Sequence, residues 1–203
     1  MLPEIENDWD EAARKDALGT ILTIPSLTED EFWEMGRNEI EEALFWAEPA
    51  NFDRALDFGC GVGRLTRPLA KHFDRAVGVD ISSEMIVLAQ GFDSAPTYIY
   101  NPRPDLAIFE QARFDFIYSS IVLQHMPPEL VMGYVGEFWR LLAPKGRLVF
   151  QVPVGPARPN GALSMYGTPR ESIEELFGSD LREVQQNDAS GPGYTSYRYL
   201  VIK

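Results

Sequence analysis

The chain has 203 residues, of which 45% are hydrophobic, 12% aromatic and 24% charged, a composition that excludes intrinsic disorder as its main description. This length suits one core, so we expect a single domain over residues 1–203. No apolar run approaches the roughly 18 residues of a membrane helix, so we expect no membrane partner. The lone cysteine, Cys60, excludes an internal disulfide and cysteine-rich zinc sites. We therefore expect no metal and a cytoplasmic location.

The net charge of −13 is unevenly distributed along the chain. Residues 1–50 contain 14 acidic and 3 basic residues, whereas residues 51–203 contain 17 acidic and 15 basic residues. Proteins that bind nucleic-acid backbones carry a basic surface. The charge distribution therefore argues against nucleic acid as a substrate.

Residues 1–50 show the apolar spacing of helices. A first helix is predicted from about Asp8 to Leu18. Thr28 and Glu31 have the spacing of a capping box, in which each side chain bonds the other residue's backbone, so a second helix is predicted to begin there. Too few to bury a core alone, these helices are predicted to form a lid over the rest of the chain.

From residue 54 onward, short apolar runs alternate with helical spacing. Seven strands are predicted, at Ala55–Phe58, Ala76–Val79, Thr97–Tyr100, Phe114–Ser119, Arg147–Val152, Leu181–Gln186 and Tyr197–Ile202. Helices are predicted between them at Leu65–His72, Glu84–Gln90, Glu129–Leu142 and Pro169–Phe177. This alternation is typical of an α/β fold with a mostly parallel sheet. The last two strands have no helix between them and are predicted to pair antiparallel.

The last predicted helix has its own boundary signals. Thr168 is predicted to cap its start, and Gly178 stands just past its end. The preceding stretch, residues 153–169, is long for a connection in a compact domain. It is either a functional lid or a flexible insertion.

A glycine-rich turn follows the first predicted strand. In A-L-D-F-G-C-G-V-G-R-L-T, the strand runs through Asp57, three glycines alternate, and a helix begins. Such glycines allow a tight turn and close approach of a ligand to the backbone. The dinucleotide motif G-x-G-x-x-G would need glycine where Arg64 stands. Asp80 ends the next strand, where a carboxylate can accept hydrogen bonds from both ribose hydroxyls of a nucleoside.

Four segments, in this order, resemble the motifs of class I S-adenosylmethionine-dependent methyltransferases: L-D-F-G-C-G-V-G-R, V-D-I-S-S-E-M-I, F-D-F-I-Y-S-S-I-V-L-Q-H-M and L-L-A-P-K-G-R-L-V-F-Q. The similarity covers residues 52–203, so residues 51–203 are expected to be the cofactor-binding core. The resemblance implies a Rossmann-like fold with a seven-stranded, mostly parallel sheet, an antiparallel C-terminal hairpin and N-terminal helices. It also implies S-adenosylmethionine as the cofactor.

The resemblance assigns a part of the cofactor to each motif. The methionine part is expected at Asp57 and the backbone of three glycines, the ribose at Asp80, and the adenine between two apolar side chains. The residues concerned are Asp57, Gly59, Gly61, Gly63, Asp80, Ile81 and Met85. The family usually has an acid after its third strand that meets the adenine amino group, and here the candidates are Asn101, Asp105 or backbone groups alone.

Three further positions complete the predicted site. Residues 118–125 follow the fourth strand and should pass beside the methyl group, with Ser119 among the cofactor contacts. His125 is the candidate general base, and the alternative is that it positions the backbone before Pro127. Arg37 or Arg64 is expected to pair with the cofactor carboxylate.

These observations predict methyl transfer to a small-molecule acceptor. The acidic N-terminal segment favours a neutral or cationic acceptor. The amino-methylase tetrapeptides N-P-P-Y and D-P-P-Y do not follow the fourth strand, and no cysteine stands there for attack on a pyrimidine. The alternatives are a non-catalytic cofactor-binding module that regulates a protein partner, and a nicotinamide oxidoreductase.

Overall fold

The computed structural model describes residues 2–158, 160–161, 163–187 and 193–203. Contacts divide the chain into two compact units. One comprises Met1–Glu48 with Phe52–Arg103, and the other comprises Pro49–Asn51 with Pro104–Lys203.

The first unit alternates helices and short strands after two N-terminal helices. Its elements are α1 Leu2–Ile21, α2 Glu29–Ala47, β1 Arg54–Phe58, α3 Thr66–His72, β2 Arg75–Asp80, α4 Ser83–Phe92 and β3 Thr97–Tyr100. The strands are parallel, with β2 between β1 and β3. Parallel pairing brings the carboxyl ends of β1 and β2 to the same edge of the sheet.

The second unit contains the antiparallel part of the sheet. Its elements are β4 Phe114–Ser119, a 3₁₀ turn at Leu123–His125, α5 Pro128–Leu141, β5 Leu142–Val154, α6 Arg170–Phe177, a 3₁₀ turn at Gly178–Asp180, β6 Leu181–Gln186 and β7 Thr195–Ile202. β4 and β5 are parallel, and β7 runs antiparallel to both β5 and β6.

The seven strands have the order β3-β2-β1-β4-β5-β7-β6. A mostly parallel seven-stranded sheet with an antiparallel C-terminal hairpin confirms the predicted fold class. Among the described residues, no helix combines the length and the apolar character needed to cross a membrane.

Helix α2 begins as its sequence predicts. The Thr28 side chain accepts a hydrogen bond from the Glu31 N–H, and the Glu31 carboxylate accepts from the Thr28 N–H. The helix then buries one face, comprising Phe32, Gly36, Ile40, Ala43, Leu44 and Ala47. The periodic apolar spacing of this segment is therefore used for packing.

Helix α1 differs from the prediction at its start and in its interior. It begins at Leu2, six residues before Asp8, and Asp16 interrupts it with an extended backbone (φ −164°, ψ 88°). The Asp16 carboxylate accepts a hydrogen bond from the Gly19 N–H at 3.0 Å. Asp16 therefore caps a second helical piece, in the manner of an N-cap residue.

The predicted cap of α6 is wrong. The N-cap residue is Pro169 and makes no side-chain cap bond, while the buried hydroxyl of Thr168 has no hydrogen-bond partner among the described residues. The Thr168 N–H donates to the Pro153 carbonyl at 2.9 Å, which ties this residue to the end of β5. Gly178 does follow the last residue of the helix, with φ 51°.

Candidate functional site

The glycine loop is fastened to the end of strand β2. The N–H groups of Gly59 and Cys60 both donate to the Val79 carbonyl, at 2.8 and 3.1 Å. The Gly61 N–H donates to Oδ2 of Asp80 at 2.8 Å. The structure therefore joins the loop after β1 directly to the carboxylate that ends β2.

The Asp80 carboxylate is a hydrogen-bonded, partly buried group at the carboxyl end of strand β2. Its Oδ1 accepts from the Ser82 N–H at 2.8 Å. Burial raises the pKa of Asp80, and the N–H groups of Ser82, Gly61 and Ile81 act against that rise. In open α/β sheets, ligands bind in the crevice outside the carboxyl ends of the strands, which is where this carboxylate stands.

At two positions of the loop, both the positive backbone φ and the close neighbouring side chains require glycine. Gly61 has φ +52°, and a Cβ there would lie 2.8 Å from Cδ1 of Ile21 in α1. Gly63 has φ +85°, and a Cβ there would overlap the Tyr98 hydroxyl. The closest neighbour above Gly61 is thus a side chain of the N-terminal segment.

Asp57 lies below the loop. It is 1% exposed, and the Thr66 hydroxyl donates to its Oδ2 at 2.6 Å. Burial raises the pKa of Asp57 to about 7, although the Thr66 hydroxyl and the Arg64 charge both lower it. Asp57 therefore links the end of β1 to the first turn of α3.

The N-terminal segment covers the residues that follow Asp80. Met85 is 1% exposed and packs in an apolar cluster with Ala13, Phe32 and Val62, while Ile81 is half-buried. The predicted adenine contact at Met85 is thus a buried core residue in this structure.

The start of α4 has a second cap that the sequence did not predict. Ser82 caps α4 by accepting from the Met85 N–H at 3.1 Å, and its hydroxyl donates to the Asp10 carboxylate at 2.6 Å. Asp10 also accepts from the Glu84 N–H at 3.2 Å. No local sequence signal links Asp10 to a helix more than 70 residues away.

The two arginine candidates for the cofactor carboxylate line the same cavity, but Arg64 is buried and Arg37 is exposed. Arg64 is 3% exposed, and its guanidinium pairs with Glu39 at 2.8 Å. Arg37 lines a cavity of about 240 Å³ whose lining does not include Gly61 or Asp80. The lining is Trp33, Arg37, Glu41, Arg64, Arg67, Pro68, Lys71, His72 and Asp93.

The two candidates for the adenine amino group also differ. Asn101 is buried at the end of β3, and its N–H donates to the Asp80 carbonyl at 2.9 Å. Asp105 belongs to the second unit, where its carboxylate accepts from the Ala107 N–H. Asn101 is therefore the candidate that adjoins Asp80 along the sheet.

Ser119 and His125 belong to the second unit. Ser119 is buried at the end of β4. The His125 ring contacts the Ser164 carbonyl through Nδ1 at 2.8 Å and the Gln124 amide through Nε2 at 3.1 Å. Burial lowers the pKa of His125, and the hydrogen bond to Ser164 acts against this.

The long connection after β5 is anchored beside His125. The Tyr166 N–H donates to the Gln124 carbonyl at 2.7 Å, and Arg158 and Met165 form a β-bridge. Within the described ranges, no group of three or more His, Cys, Asp and Glu residues is arranged to hold a metal ion.

Comparisons with known proteins show the family of the chain. A family described as a methyltransferase domain matches residues 56–150. Trans-aconitate 2-methyltransferase of Deinococcus radiodurans is 33% identical over 131 residues, which are 63% of this chain and 48% of that protein. Nodulation protein S of Rhizobium tropici is 30% identical over 176 residues, covering 81% of this chain and 71% of that protein.

A solved structure has the same fold over the whole chain. Magnesium protoporphyrin IX methyltransferase from Synechocystis, with S-adenosylhomocysteine bound, superposes with a TM-score of 0.72 at 19% identity. The match covers 100% of this chain and 99% of that one.

The chain belongs to the class I S-adenosylmethionine-dependent methyltransferase family, and its cofactor is S-adenosylmethionine. It spans about half the length of trans-aconitate 2-methyltransferase.

Proposed function

We propose that the chain transfers a methyl group from S-adenosylmethionine to a small-molecule acceptor. The observation that carries this proposal is the hydrogen bond from the Gly61 N–H to Asp80, which joins the glycine loop to the end of β2. A carboxylate held there suits a ribose diol, because it can accept from both hydroxyls. Residues 1–50 would form a lid over this crevice, as the contact of Ile21 with Gly61 suggests.

The residues present fit the cofactor in chemical type. Asp80 would hold the ribose and Ile81 would contact the adenine, while Asp57 would support the loop through Thr66. The backbone of Gly59, Gly61 and Gly63 would lie along the methionine part. The roles of Met85, Ser119 and Arg37 stay predictions, and the ion pair of Arg64 with Glu39 makes Arg64 a weaker candidate for the cofactor carboxylate.

Bound S-adenosylmethionine supplies a methyl group on a positively charged sulfur. The chain's own residues would orient the acceptor and exclude water, which are the main requirements of an in-line displacement. His125 would accept the acceptor's proton, because burial lowers its pKa and keeps the ring neutral at pH 7.

The charge of the N-terminal segment supports a neutral or cationic acceptor. Residues 1–50 contain 14 acidic and 3 basic residues. A lid with this charge would repel anions from the mouth of the crevice and attract cations. Anionic metabolites are therefore expected to be poor acceptors.

Calorimetry tests the cofactor site. Titrations of S-adenosylmethionine, S-adenosylhomocysteine and NAD should give binding of the first two alone. Asp80→Ala should weaken both by roughly 1.5–3 kcal/mol, because the ribose is common to the two ligands and each loses a hydrogen bond to a charged group. Asp53→Ala, at an exposed carboxylate before β1, is the matched control and should bind normally. Unchanged affinity in Asp80→Ala would show that Asp80 serves only the fold.

A transfer assay tests the activity. The chain is incubated with cofactor labelled on the methyl group and with three separate fractions: small metabolites, RNA and protein. Label in the metabolite fraction, with one S-adenosylhomocysteine formed per methyl group, is the expected result. Binding without turnover in every fraction would favour the regulatory module, and label in RNA alone would overturn the small-molecule acceptor.

A further inference from the structure

A chain of side-chain amides connects strand β5 to the ring of His125. The Ile121 N–H donates to Oε1 of Gln151 at 2.8 Å. Nε2 of Gln151 then donates to Oε1 of Gln124 at 3.3 Å and to the Ser196 hydroxyl at 2.6 Å. Nε2 of Gln124 meets Nε2 of His125, whose Nδ1 meets the Ser164 carbonyl.

The backbone groups at the two ends of this hydrogen-bonded series fix which group donates and which accepts in every bond. A backbone N–H can only donate, so Gln151 must turn its oxygen toward Ile121 and its NH₂ toward Gln124. Gln124 must then turn its own NH₂ toward His125, whose Nε2 is left to accept. At the other end a backbone carbonyl can only accept, so Nδ1 of His125 must carry the hydrogen. Both ends therefore require the same tautomer of the neutral imidazole ring, with the hydrogen on Nδ1.

The burial of Gln151 and the backbone conformation of Ile121 indicate that this series of hydrogen bonds has a cost in free energy. Gln151 is 2% exposed inside the otherwise apolar run from Leu148 to Val154 of β5, and burial of an amide is tolerated only when it is hydrogen-bonded. Ile121 has φ +55°, a conformation that is strained for a β-branched residue. The residue with this strained backbone is the one whose N–H donates to Gln151, and such strain is concentrated at functional sites.

We propose that Gln151 and Gln124 are positioning residues that hold His125 with its hydrogen on Nδ1, so that Nε2 is the atom that takes the acceptor's proton. This inference rests on the proposed role of His125 as a base. As the acceptor enters, its O–H or N–H replaces the Gln124 amide at Nε2. The acceptor's O–H or N–H bond then breaks, its proton forms the new Nε2–H bond, and the electron pair stays on the acceptor's oxygen or nitrogen. The base requirement selects hydroxyl or protonated amine acceptors over carboxylates, which are already ionised at pH 7.

The same amides help His125 to release the proton. Once the methylated product has left, the hydrogen on Nε2 faces the NH₂ of Gln124 again, so two donors oppose each other. Turning the Gln124 amide would only move the conflict to the NH₂ of Gln151, which Ile121 holds in place. The protonated ring is therefore disfavoured after transfer and passes its proton to water.

The test is the protonation form of the ring in solution, measured on the full chain without acceptor. The sequence contains 2 histidines, and the exposed His72 can be replaced by Asn to assign the signals. Long-range ¹H–¹⁵N correlation of the ring distinguishes a hydrogen on Nδ1 from one on Nε2. At pH 8 we expect the His125 hydrogen on Nδ1, and finding it on Nε2 would overturn the proposal.

Two variants test the amides themselves. In Gln151→Leu the Gln124 amide is free to turn its oxygen toward Nε2 while Ser164 still holds the hydrogen on Nδ1. The doubly protonated ring should therefore appear at a higher pH than in wild type, and an unchanged ring titration would overturn the role of Gln151. Gln124→Glu presents an acceptor, so Nε2 should become protonated, whereas Gln124→Leu should keep the hydrogen on Nδ1 through Ser164. Nε2 unprotonated in Gln124→Glu would overturn the role of Gln124.

These readouts are independent of turnover. If the wild-type ring has the expected form and His125→Asn transfers methyl groups at the wild-type rate, the proposed base fails while the positioning stands. If the ring has the other form, the positioning fails whatever the chain methylates.

Discussion

At the scale of single residues, Gly63 shows two separate constraints at one position. Its φ of +85° lies outside the range that side chains favour, and the space above it belongs to the Tyr98 hydroxyl. Tyr98 is 7% exposed and is part of a cluster with Cys60, Ile86 and Ala89, so it has little room to move. The glycine pattern of the loop is therefore explained by backbone and packing before any ligand is considered.

We expect Gly63→Ala to destabilise the protein by about 2 kcal/mol, because strained backbone and a displaced Tyr98 add to each other. Urea unfolding measures the change. Gly133→Ala in α5 is the control, since nothing lies within 4 Å of a Cβ there, and it should stabilise by about 0.5–1 kcal/mol. Equal unfolding midpoints in the two variants would contradict this account of the loop.

Asp57 makes a prediction about pH. Its pKa of about 7 in the folded state lies above the usual 3.8, so the folded protein keeps a proton that the unfolded chain has lost. This contribution to stability is complete below pH 4 and disappears as the pH rises through 7. Asp57→Asn removes the ionisation, and its amide oxygen can still accept from Thr66.

The stability of Asp57→Asn relative to wild type should therefore increase between pH 4 and pH 7, by at most a few kcal/mol at about 1.4 kcal/mol per pKa unit. Urea unfolding at several pH values gives the comparison. Asp53→Asn, an exposed carboxylate of the same segment, should stay parallel to wild type. A constant difference between Asp57→Asn and wild type would place the Asp57 pKa in its ordinary range.

At the scale of elements, α1 contacts the start of α4 through the apolar packing of Ala13 with Met85 as well as through the Asp10 carboxylate. Its bonds to the Ser82 hydroxyl and the Glu84 N–H supplement the cap of that helix. The neighbouring contact of Arg14 with Glu84 is exposed to solvent, so it adds little. A single residue of one helix therefore stabilises the end of another.

Asp10→Ala should lower the free energy of unfolding by about 1–2 kcal/mol, because the start of α4 loses its hydrogen bonds to a charged carboxylate. Thermal unfolding followed by circular dichroism measures it. Glu11→Ala is the matched control, since Glu11 pairs with the exposed Lys15 on the same helix and should change little. If both variants unfold at the same temperature, the hydrogen bonds of Asp10 to the start of α4 contribute nothing to stability.

The elements also show which parts of the fold the sequence could predict. The strands and the start of α2 depend on local patterns, so β3, β4 and β6 have the predicted bounds and the capping box of Thr28 is present. Thr168 has an equally good local pattern, but its N–H bonds Pro153, which draws it toward β5. Long-range bonds of this kind leave no periodic signal.

The same distinction applies to the candidate site. The proximity of Gly61 and Asp80 follows from parallel strands that end at one edge, and the sequence predicted the position of each residue relative to its strand. The amide chain to His125 brings together Gln124, Gln151 and Ser164, which are far apart in the sequence. Its single local sign is a glutamine inside the apolar run of β5, which is costly unless its amide is bonded.

At the scale of the whole molecule, the acidic N-terminal segment belongs to the first compact unit rather than to a body of its own. Phe32 and Ala13 from this segment pack with Val62 and Met85, which follow β1 and β2. Isolated helices of this length depend on such packing for stability. The segment therefore contributes to the core as well as to the proposed lid.

Removal of residues 1–45 is the test of that double role. The truncated chain should keep the circular dichroism of the sheet but unfold at lower urea and bind a hydrophobic dye, because Val62 and Met85 become exposed. Methyl transfer should be lost, since the crevice would no longer exclude water. Ile21→Ala in the full chain is the milder variant: it shortens the side chain over Gly61 and should change cofactor affinity while the fold is kept. Wild-type transfer by the truncated chain would overturn the lid, and unchanged cofactor affinity in Ile21→Ala would show that the contact with Gly61 is packing alone.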